Sequence, residues 1–498
     1  MMSVLTDVQQ FVGLTQLQYI VLGVTLGAII GALPGCGPMM GVTLSIPFTF
    51  YLDPVSSLAL LIGIYQGGSF GGAISAALIG IPGTPIAAAT LLDAYPMSQS
   101  GRASEAITLA TVASWFGGCF GGIVLLLAAP SLASLALNFG PAERLGLALI
   151  GLTAIAGLTT GSTTKGMMSG ALGLMLATVG SDPFTGMNRF DFGLPELTGG
   201  LTFVSLLVGL FAISEMLIQI ESTSPPIRIT EKIRFSAKCL LTIFSDWKNY
   251  VRSSLIGVLV GVVPGIGGVT SAFLSYKVSK DLSPDKEQYG KGAPGGVIAT
   301  EAANSATTGG SLLPMLSLGI PGDPIVAVMM GGLLIHGVTP GPAFMLTNAP
   351  MLNGILGIFL IGAFLLLPIG WLLLPVFVNI LRVPKSFLTT LIIALCIFGT
   401  YATNRELFDI WLLWIFGFLG YAMRKSGIPL SPLVIGFVLG PIVEESLRRL
   451  ATISGNDFWG FLIGRPVALT CFVLIAVMLL SPTLMQLYRY LLRLRSSD

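Results

Sequence analysis

The sequence has 498 residues, of which 53% are hydrophobic and 10% are charged, with a formal net charge of +2 and a mean hydropathy of +0.88. Soluble domains carry about 25% charged residues, so this composition excludes an ordinary soluble protein. The near-neutral charge offers no basic surface for nucleic acid. Apolar runs long enough to span a bilayer recur along the chain. The sequence therefore predicts an all-α, polytopic membrane protein with roughly ten to twelve transmembrane helices.

The first apolar segment, from Thr15 to Ile46, contains the interruption GALPGCGP at Gly31–Pro38. Because proline lacks the N–H donor and glycine leaves the backbone flexible, two half-helices around a break are predicted there. Asp53-Pro54 then marks a fresh helix start. The glycine-rich segment that follows ends at a second such motif, IPGTP at Ile81–Pro85.

A short polar loop is predicted next, formed by DAYP at Asp93–Pro96 and by Arg102. The later connection Glu221–Arg252 has an excess of Lys and Arg, which favours a cytoplasmic location. It also separates two halves of the chain. We expect a first transmembrane repeat (1–220), a basic cytoplasmic connecting loop (221–252), the core of a second repeat (253–380) and C-terminal transmembrane helices (381–498).

Both interruptions reappear in the second half, as GVVPGIGG at Gly261–Gly268 and IPGDP at Ile320–Pro324. Counted between their first prolines, the two motifs lie 48 positions apart in the first half and 57 in the second. The chain is interpreted as a diverged internal duplication, which we expect to be inverted. A break in lipid is tolerated only where protein or a water-filled cavity supplies partners. Matched breaks favour a transporter binding site between the repeats, and packing kinks are the alternative.

Broken helices predict the chemistry of the ligand. The N-termini of half-helices present unpaired N–H groups and the positive end of a dipole to an anion, whereas freed carbonyl groups suit a small cation. The breaks therefore predict an anionic substrate and a coupling cation.

The run VIATEAANSATTGG at Val297–Gly310 places polar groups inside the second half. Glu301 and Asn304 lie three positions apart and share a helix face. An ionisable group at membrane depth favours a functional role, and a structural polar pair is the alternative. Asp323 is a secondary candidate whose other role would be a helix cap. A coupling cation, sodium or a proton, is expected near Asn304 and Asp323, and no other cofactor is expected.

Two other classes are weighed against a transporter: an uncoupled membrane channel and a membrane-embedded enzyme that uses Glu301 and His336. His336 is the only histidine, and a lone histidine beside a glycine is more often a loop or packing residue than a catalytic base, so no serine hydrolase is indicated. The run Gly290–Gly295 matches GxGxxG, but no predicted strand precedes it and its proline removes a backbone donor. We interpret it as a chance match.

Long strings throughout the chain resemble one known family. They include LPGCGPMMGVTLSIPFTF, GIYQGGSFGGAISAALIGIPGTPIAAAT, TVGSDPFTGMNRFDFG, ATEAANSATTGG and IGFVLGPIVEESLRR. The sequence thereby resembles the large membrane subunit of the tripartite tricarboxylate transporter family. The resemblance implies a multi-pass secondary transporter of the bacterial inner membrane that works with a small membrane subunit and a periplasmic solute-binding protein. It implies import of a tricarboxylate or related organic carboxylate, usually with a cation gradient.

Three positions depart from the family pattern. Gly295 stands where a glutamate is usual, Ser305 where a second asparagine is frequent, and Ala94 where the family has the glycine of DGYP. A role for the missing glutamate cannot be transferred. The substrate-binding candidates that the matching motifs imply are Gly35, Gly37, Gly83, Thr84, Gly265, Gly267, Glu301, Asn304 and Gly322.

Overall fold

The structure is a computed structural model that describes residues 2–136, 139–158, 162–221, 233–265, 267–381, 383–455 and 457–479. Within these ranges regular structure is almost entirely helical, and the two strands, β1 (Gly180–Ser181) and β2 (Asn188–Arg189), pair antiparallel over two residues each. Seven of the described helices are long and apolar enough to cross a membrane. The prediction of an all-α polytopic membrane protein is confirmed.

The chain divides into two compact units, of which unit 1 comprises Met1–Ser134 and Thr202–Ala422. A π-helical stretch, Val208–Ile213, joins the short helices Phe203–Leu207 and Ser214–Glu221. The helices that begin in this unit are α1 (Met2–Phe11), α2 (Leu14–Ala32), α3 (Gly37–Thr49), α4 (Pro54–Ile79), α5 (Ala87–Gln99), α6 (Ala103–Ala136), α9 (Phe203–Leu207), α10 (Ser214–Glu221), α11 (Thr242–Ser245), α12 (Trp247–Val262), α13 (Gly267–Leu282), α14 (Pro294–Leu318), α15 (Pro324–Ile335), α16 (Pro342–Thr347), α17 (Ala349–Ile380), α18 (Lys385–Asn404) and α19 (Leu407–Lys425).

Unit 2 comprises Leu135–Leu201 and Met423–Asp498. Its helices α8 (Thr163–Leu176) and α20 (Ser431–Ser454) approach so closely that a Cβ added at Gly173 would lie 1.9 Å from the carbonyl oxygen of Leu433. Small residues permit this backbone contact between apolar helices. The helices of the unit are α7 (Pro141–Leu158), α8 (Thr163–Leu176), α20 (Ser431–Ser454), α21 (Phe458–Ile463) and α22 (Pro466–Leu479).

A network of ion pairs attaches the loop that follows α8 to helix α20. Asp182 accepts from Arg448 Nη2 at 2.7 Å and from the N–H of Phe184 at 2.8 Å. Glu444 pairs with Arg448 and with Arg189, both at 2.7 Å. The hydrogen bonds from Arg448 are the main reason that the pKa of Asp182 lies well below its usual range.

Both predicted interruptions break the helix, and they do so along the same backbone path. Between α2 and α3, Gly35 and Gly37 have φ of +82° and +56°. Between α12 and α13, Gly265 and Gly267 have φ of +90° and +69°. Residues with a Cβ rarely adopt such angles, which explains why glycines occupy these four positions.

Each repeat contains a tightly packed pair of parallel helices. A Cβ at Gly27 of α2 would lie 2.4 Å from the carbonyl oxygen of Ile64, and one at Gly31 would lie 2.3 Å from that of Gly68. Because the contacts advance in the same direction along both helices, α2 and α4 are parallel. The α12–α14 pair repeats this contact, with 2.3 Å between a Cβ at Gly257 and the oxygen of Ala303.

The two repeats run in opposite directions where α4 meets α14. The carbonyl oxygen of Ser69 accepts from Asn304 Nδ2 at 3.0 Å. One turn earlier on α4, Tyr65 donates to Asp323. Gly322, the residue before Asp323, donates its N–H to the carbonyl oxygen of Ser311, which lies two turns after Asn304 on α14. Contacts that advance on one helix and recede on the other identify an antiparallel crossing, so the repeats are inverted.

Seven of the described helices are long and apolar enough to span a membrane, fewer than the ten to twelve transmembrane helices predicted, because several of the remaining helices are short or polar. The half-helices beside the breaks have only 12 to 16 residues, fewer than the roughly 20 that a single span requires. α14 has 25 residues, but its Thr, Ser, Asn and Glu side chains lower its hydropathy.

The predicted polar loop at Asp93–Pro96 is wrong. These residues lie inside α5, and Asp93 is fully buried. A helix interior can accept this carboxylate because three backbone N–H groups from another segment bind it, as described below.

Part of the basic connecting loop lies outside the described residues, including Arg228 and Lys232. The basic C-terminal residues Arg489, Arg493 and Arg495 also lie outside them. The predicted cytoplasmic location and the four predicted segment boundaries stay predictions.

Candidate functional site

The N-termini of three broken helices gather around the segment 84–86. A Cβ at Gly37, the first residue of α3, would lie 3.6 Å from Thr84 Cγ2. A Cβ at Gly268, in the first turn of α13, would lie 2.5 Å from Ile86 Cδ1, and Ile86 is the N-cap of α5. Helices from both repeats therefore point their positive ends toward one region.

Asp323 marks the N-terminus of a fourth helix, α15. Its carboxylate accepts from the N–H of Val326 at 2.8 Å and so caps α15, and it also accepts from Tyr65 of α4. The alternative role of Asp323 as a helix cap therefore accounts for one of these two bonds. The second bond links the break of one repeat to the intact helix of the other.

Gly83 and Gly322 occupy equivalent places at the second motif of each repeat. Gly83 donates its N–H to the oxygen of Gly72, and Gly322 donates its own to the oxygen of Ser311, both at 3.3 Å. Gly322 also accepts from the N–H of Gly265 at 3.0 Å. The two motifs of the second repeat are thus in direct contact.

Gly35 faces a different neighbour from the other candidate glycines. A Cβ there would lie 2.8 Å from Gln219 Nε2 and 3.1 Å from Glu215 Oε1, both on α10. Gly267 faces open space, because no atom of the described residues lies within 4 Å of its hypothetical Cβ.

Glu301 is fully buried on α14 among neutral hydrogen-bond donors. Its Oε1 accepts from Thr90 Oγ1 at 2.5 Å, and its Oε2 accepts from Ser114 Oγ at 2.9 Å and from Asn304 Nδ2 at 3.4 Å. Glu301 and Asn304 therefore share a helix face, as their spacing predicts. Sequence reasoning missed Thr90 and Ser114, since single hydroxyls in apolar helices follow no pattern.

Glycines on α6 bring Ser114 to this carboxylate. A Cβ at Gly117 would lie 2.2 Å from the carbonyl oxygen of Ala302, and one at Gly121 would lie 2.8 Å from that of Ala306. The close approach of α6 and α14 places a short serine side chain within hydrogen-bond distance of Glu301.

Several buried polar atoms at the α4–α14 crossing have no hydrogen-bond partner among the described residues. They are the Oγ of Ser69, the Oδ1 of Asn304 and the Oγ of Ser305. Buried polar groups are normally satisfied by protein, water or ligand, so these atoms are available to a bound molecule. The described residues contain no group of three or more His, Cys, Asp or Glu that could hold a metal, and the expected cation near Asn304 and Asp323 stays a prediction.

Asp93 is a buried carboxylate that sequence reasoning assigned to a loop. Its Oδ1 accepts from the N–H groups of Gly290, Gly292 and Ala293 at 2.8, 2.9 and 2.9 Å. The glycine run Gly290–Gly295 thus binds an anion through its backbone, as glycine-rich loops do, but the anion is a side chain of the same protein. A lone carboxylate inside an apolar stretch is a signal of its burial, although it does not indicate the partners.

His336 does not approach Glu301 through any described hydrogen bond. Its Nε2 lies 2.9 Å from Ser57 Oγ, at the start of α4. Asn304, the neighbour of Glu301, meets the same helix at Ser69, which is about 18 Å further along at 1.5 Å per residue. The acid and base of the enzyme alternative are therefore held by different parts of unit 1.

Inverted repeats of broken helices that meet inside the protein define the class of membrane transporters. The chain belongs to the tripartite tricarboxylate transporter TctA family, whose sequence profile matches residues 17–435. An uncharacterized 52.8 kDa protein in the TAR-I ttuC' 3' region of Agrobacterium vitis is 37% identical over 453 residues, which cover 90% of this chain and 89% of that protein. An uncharacterized protein in the TAR-II ttuC' 3' region of the same organism is 38% identical over 212 residues, 43% of this chain and 87% of that protein.

Proposed function

We propose that the chain is the permease subunit of a binding-protein-dependent secondary transporter in the bacterial inner membrane. It imports a tricarboxylate or related organic carboxylate and uses a sodium or proton gradient. A small membrane subunit and a periplasmic solute-binding protein complete the transporter.

One observation supports this function above others: helix N-termini from both repeats converge on residues 84–86, beside Gly37 and Gly268. Carboxylates bind at helix N-termini because the N–H groups there lack intrahelical partners. Unpartnered polar atoms of Ser69, Asn304 and Ser305 add hydrogen-bonding capacity at the crossing of the repeats. Membership of a transporter family supports the same function.

The test is uptake into proteoliposomes that contain the chain and its membrane partner, with the binding protein added outside. Citrate and other di- and tricarboxylates are offered as labelled substrates, and the sodium and proton gradients are varied separately. We expect uptake of at least one carboxylate that requires both the binding protein and a gradient. Flux that needs neither would indicate a channel, and conversion of the substrate in detergent would indicate an enzyme.

A further inference from the structure

The buried carboxylates of unit 1 have no buried basic partner. Asp93, Glu301, Asp323 and Asp409 are each at most 4% exposed, and no Lys or Arg of the described residues is buried. An ionised carboxylate in an apolar interior without a counter-charge is costly. An anionic substrate that enters this region adds to the cost, so neutralisation of a buried carboxylate favours its entry.

The hydrogen bonds around Glu301 are complete in one protonation state. Thr90 Oγ1 lies 2.5 Å from Glu301 Oε1 and 3.0 Å from Thr300 Oγ1, which itself lies 3.0 Å from the carbonyl oxygen of Gly296. A hydroxyl has one proton to donate. Thr300 Oγ1 also lies 3.1 Å from the carbonyl oxygen of Val297. If Glu301 is ionised, the two threonines have two protons for the bond to Glu301, the bond between the threonines and the bond to these two carbonyl oxygens. If Glu301 is protonated, it donates to Thr90, Thr90 to Thr300, and Thr300 to Gly296.

We propose that Glu301 binds the coupling proton within this group of neutral hydroxyl and amide donors. The inference deepens the proposed function and rests on it. Binding of the proton forms an O–H bond at Glu301 Oε1 that donates to Thr90 Oγ1, and release breaks this O–H bond and returns the proton to water. Among the described residues, no buried side chain on the helices around α14 carries a positive charge. The buried titratable side chains on these helices are Tyr65 on α4, Asp93 on α5, Tyr250 on α12, Tyr276 on α13 and Asp323 at the start of α15.

The test compares Glu301→Gln with Glu105→Gln, an exposed carboxylate on α6 that pairs with Arg102. Each variant is reconstituted with both partner subunits, and citrate is the first probe. Net uptake driven by a pH gradient is measured together with proton entry reported by a trapped dye, and exchange of external for internal citrate is measured without a gradient. We expect Glu301→Gln to lose about tenfold or more of net uptake and of proton entry, and to retain exchange. Glu105→Gln should match the unmodified protein.

Wild-type proton entry and net uptake in Glu301→Gln would overturn the inference, as would wild-type uptake that follows sodium without proton entry.

An infrared measurement separates this inference from the transport function. Difference spectra of the purified chain between acidic and alkaline pH should contain a protonated-carboxyl band that Glu301→Gln removes and Glu105→Gln preserves. A band that survives in Glu301→Gln would refute the proton site even if citrate is transported. If no carboxylate is transported by the unmodified protein but the band behaves as expected, the proposed function fails and the proton site stands.

Discussion

Tyr65 donates a hydrogen bond to Asp323, and this bond joins the intact helix α4 of one repeat to the capped start of α15 in the other. Both side chains are buried. Removal of the hydroxyl by Tyr65→Phe leaves a buried carboxylate with one acceptor position unfilled. We expect the free energy of unfolding to fall by about 1–3 kcal/mol, measured as a lower thermal transition of the purified protein in detergent. Uptake should fall as well, because the bond holds the start of α15 against α4 of the other repeat.

The matched control for Tyr65→Phe is Tyr51→Phe. The Tyr51 hydroxyl donates to the carbonyl oxygen of Ala402 at 3.0 Å, but this bond is exposed to solvent. Water replaces an exposed bond, so the control should change stability by less than about 1 kcal/mol. Equal destabilisation of the two variants would show that the Tyr65–Asp323 bond contributes no more to stability than an exposed hydrogen bond does.

Close packing of α12 on α14 should make Gly257 intolerant of a methyl group. A Cβ there would lie 2.3 Å from the carbonyl oxygen of Ala303, and backbone atoms on both sides cannot rotate away. Gly257→Ala should destabilise the protein by roughly 1–3 kcal/mol through overpacking, measured by thermal unfolding and by the amount of protein in the membrane. Gly199→Ala is the control, since nothing of the described chain lies within 4 Å of the added carbon; a stable Gly257→Ala variant would refute the backbone contact.

The break between α12 and α13 should depend on glycine at 265. Gly265 has φ of +90° and donates its N–H to Gly322. Gly265→Ala introduces about 1–2 kcal/mol of backbone strain, enough for a roughly tenfold loss of uptake if the strain falls on transport. Gly101→Ala has similar strain, with φ of +77°, but lies in a connection without close neighbours. Uptake by Gly101→Ala should stay normal, and equal losses in both variants would contradict a role for the break.

The charged network of unit 2 predicts a pH dependence of stability. Because Arg448 holds the pKa of Asp182 below its usual range, the folded protein releases that proton more readily than the unfolded chain. The stabilisation is complete above the unfolded pKa of about 3.9 and is lost as pH falls toward the lower folded pKa. Thermal unfolding between neutral pH and about pH 3 should show a difference between the unmodified protein and Asp182→Asn that shrinks with falling pH. Asp281→Asn, at an exposed carboxylate, should show no such difference.

Local backbone features could be predicted from the sequence, and long-range partners could not. Gly35, Gly37 and Gly265 mark breaks because proline and glycine act on the backbone where they stand. The antiparallel crossing of the repeats also follows the expectation for duplicated broken helices. By contrast, Thr90 and Ser114 meet Glu301 from about two hundred positions away, and an isolated hydroxyl in an apolar helix indicates no particular partner.

Asp93 illustrates why the loop prediction failed. A carboxylate next to a tyrosine and a proline resembles a turn when only neighbours in sequence are considered. The N–H groups that make its burial tolerable come from Gly290, Gly292 and Ala293, and no local pattern reveals them.

The unequal spacing of the motifs, 57 positions against 48, has its own consequence. Most of the extra length lies between α13 and α14, in residues 283–293, whereas residues 50–53 suffice between α3 and α4. The longer connection supplies the amides that tether Asp93. In a carrier with two identical repeats, the inward-facing and outward-facing conformations of the empty protein would have equal free energy. The Asp93 tether is present in one repeat only and makes the two conformations unequal, so we expect the empty carrier to favour one of them.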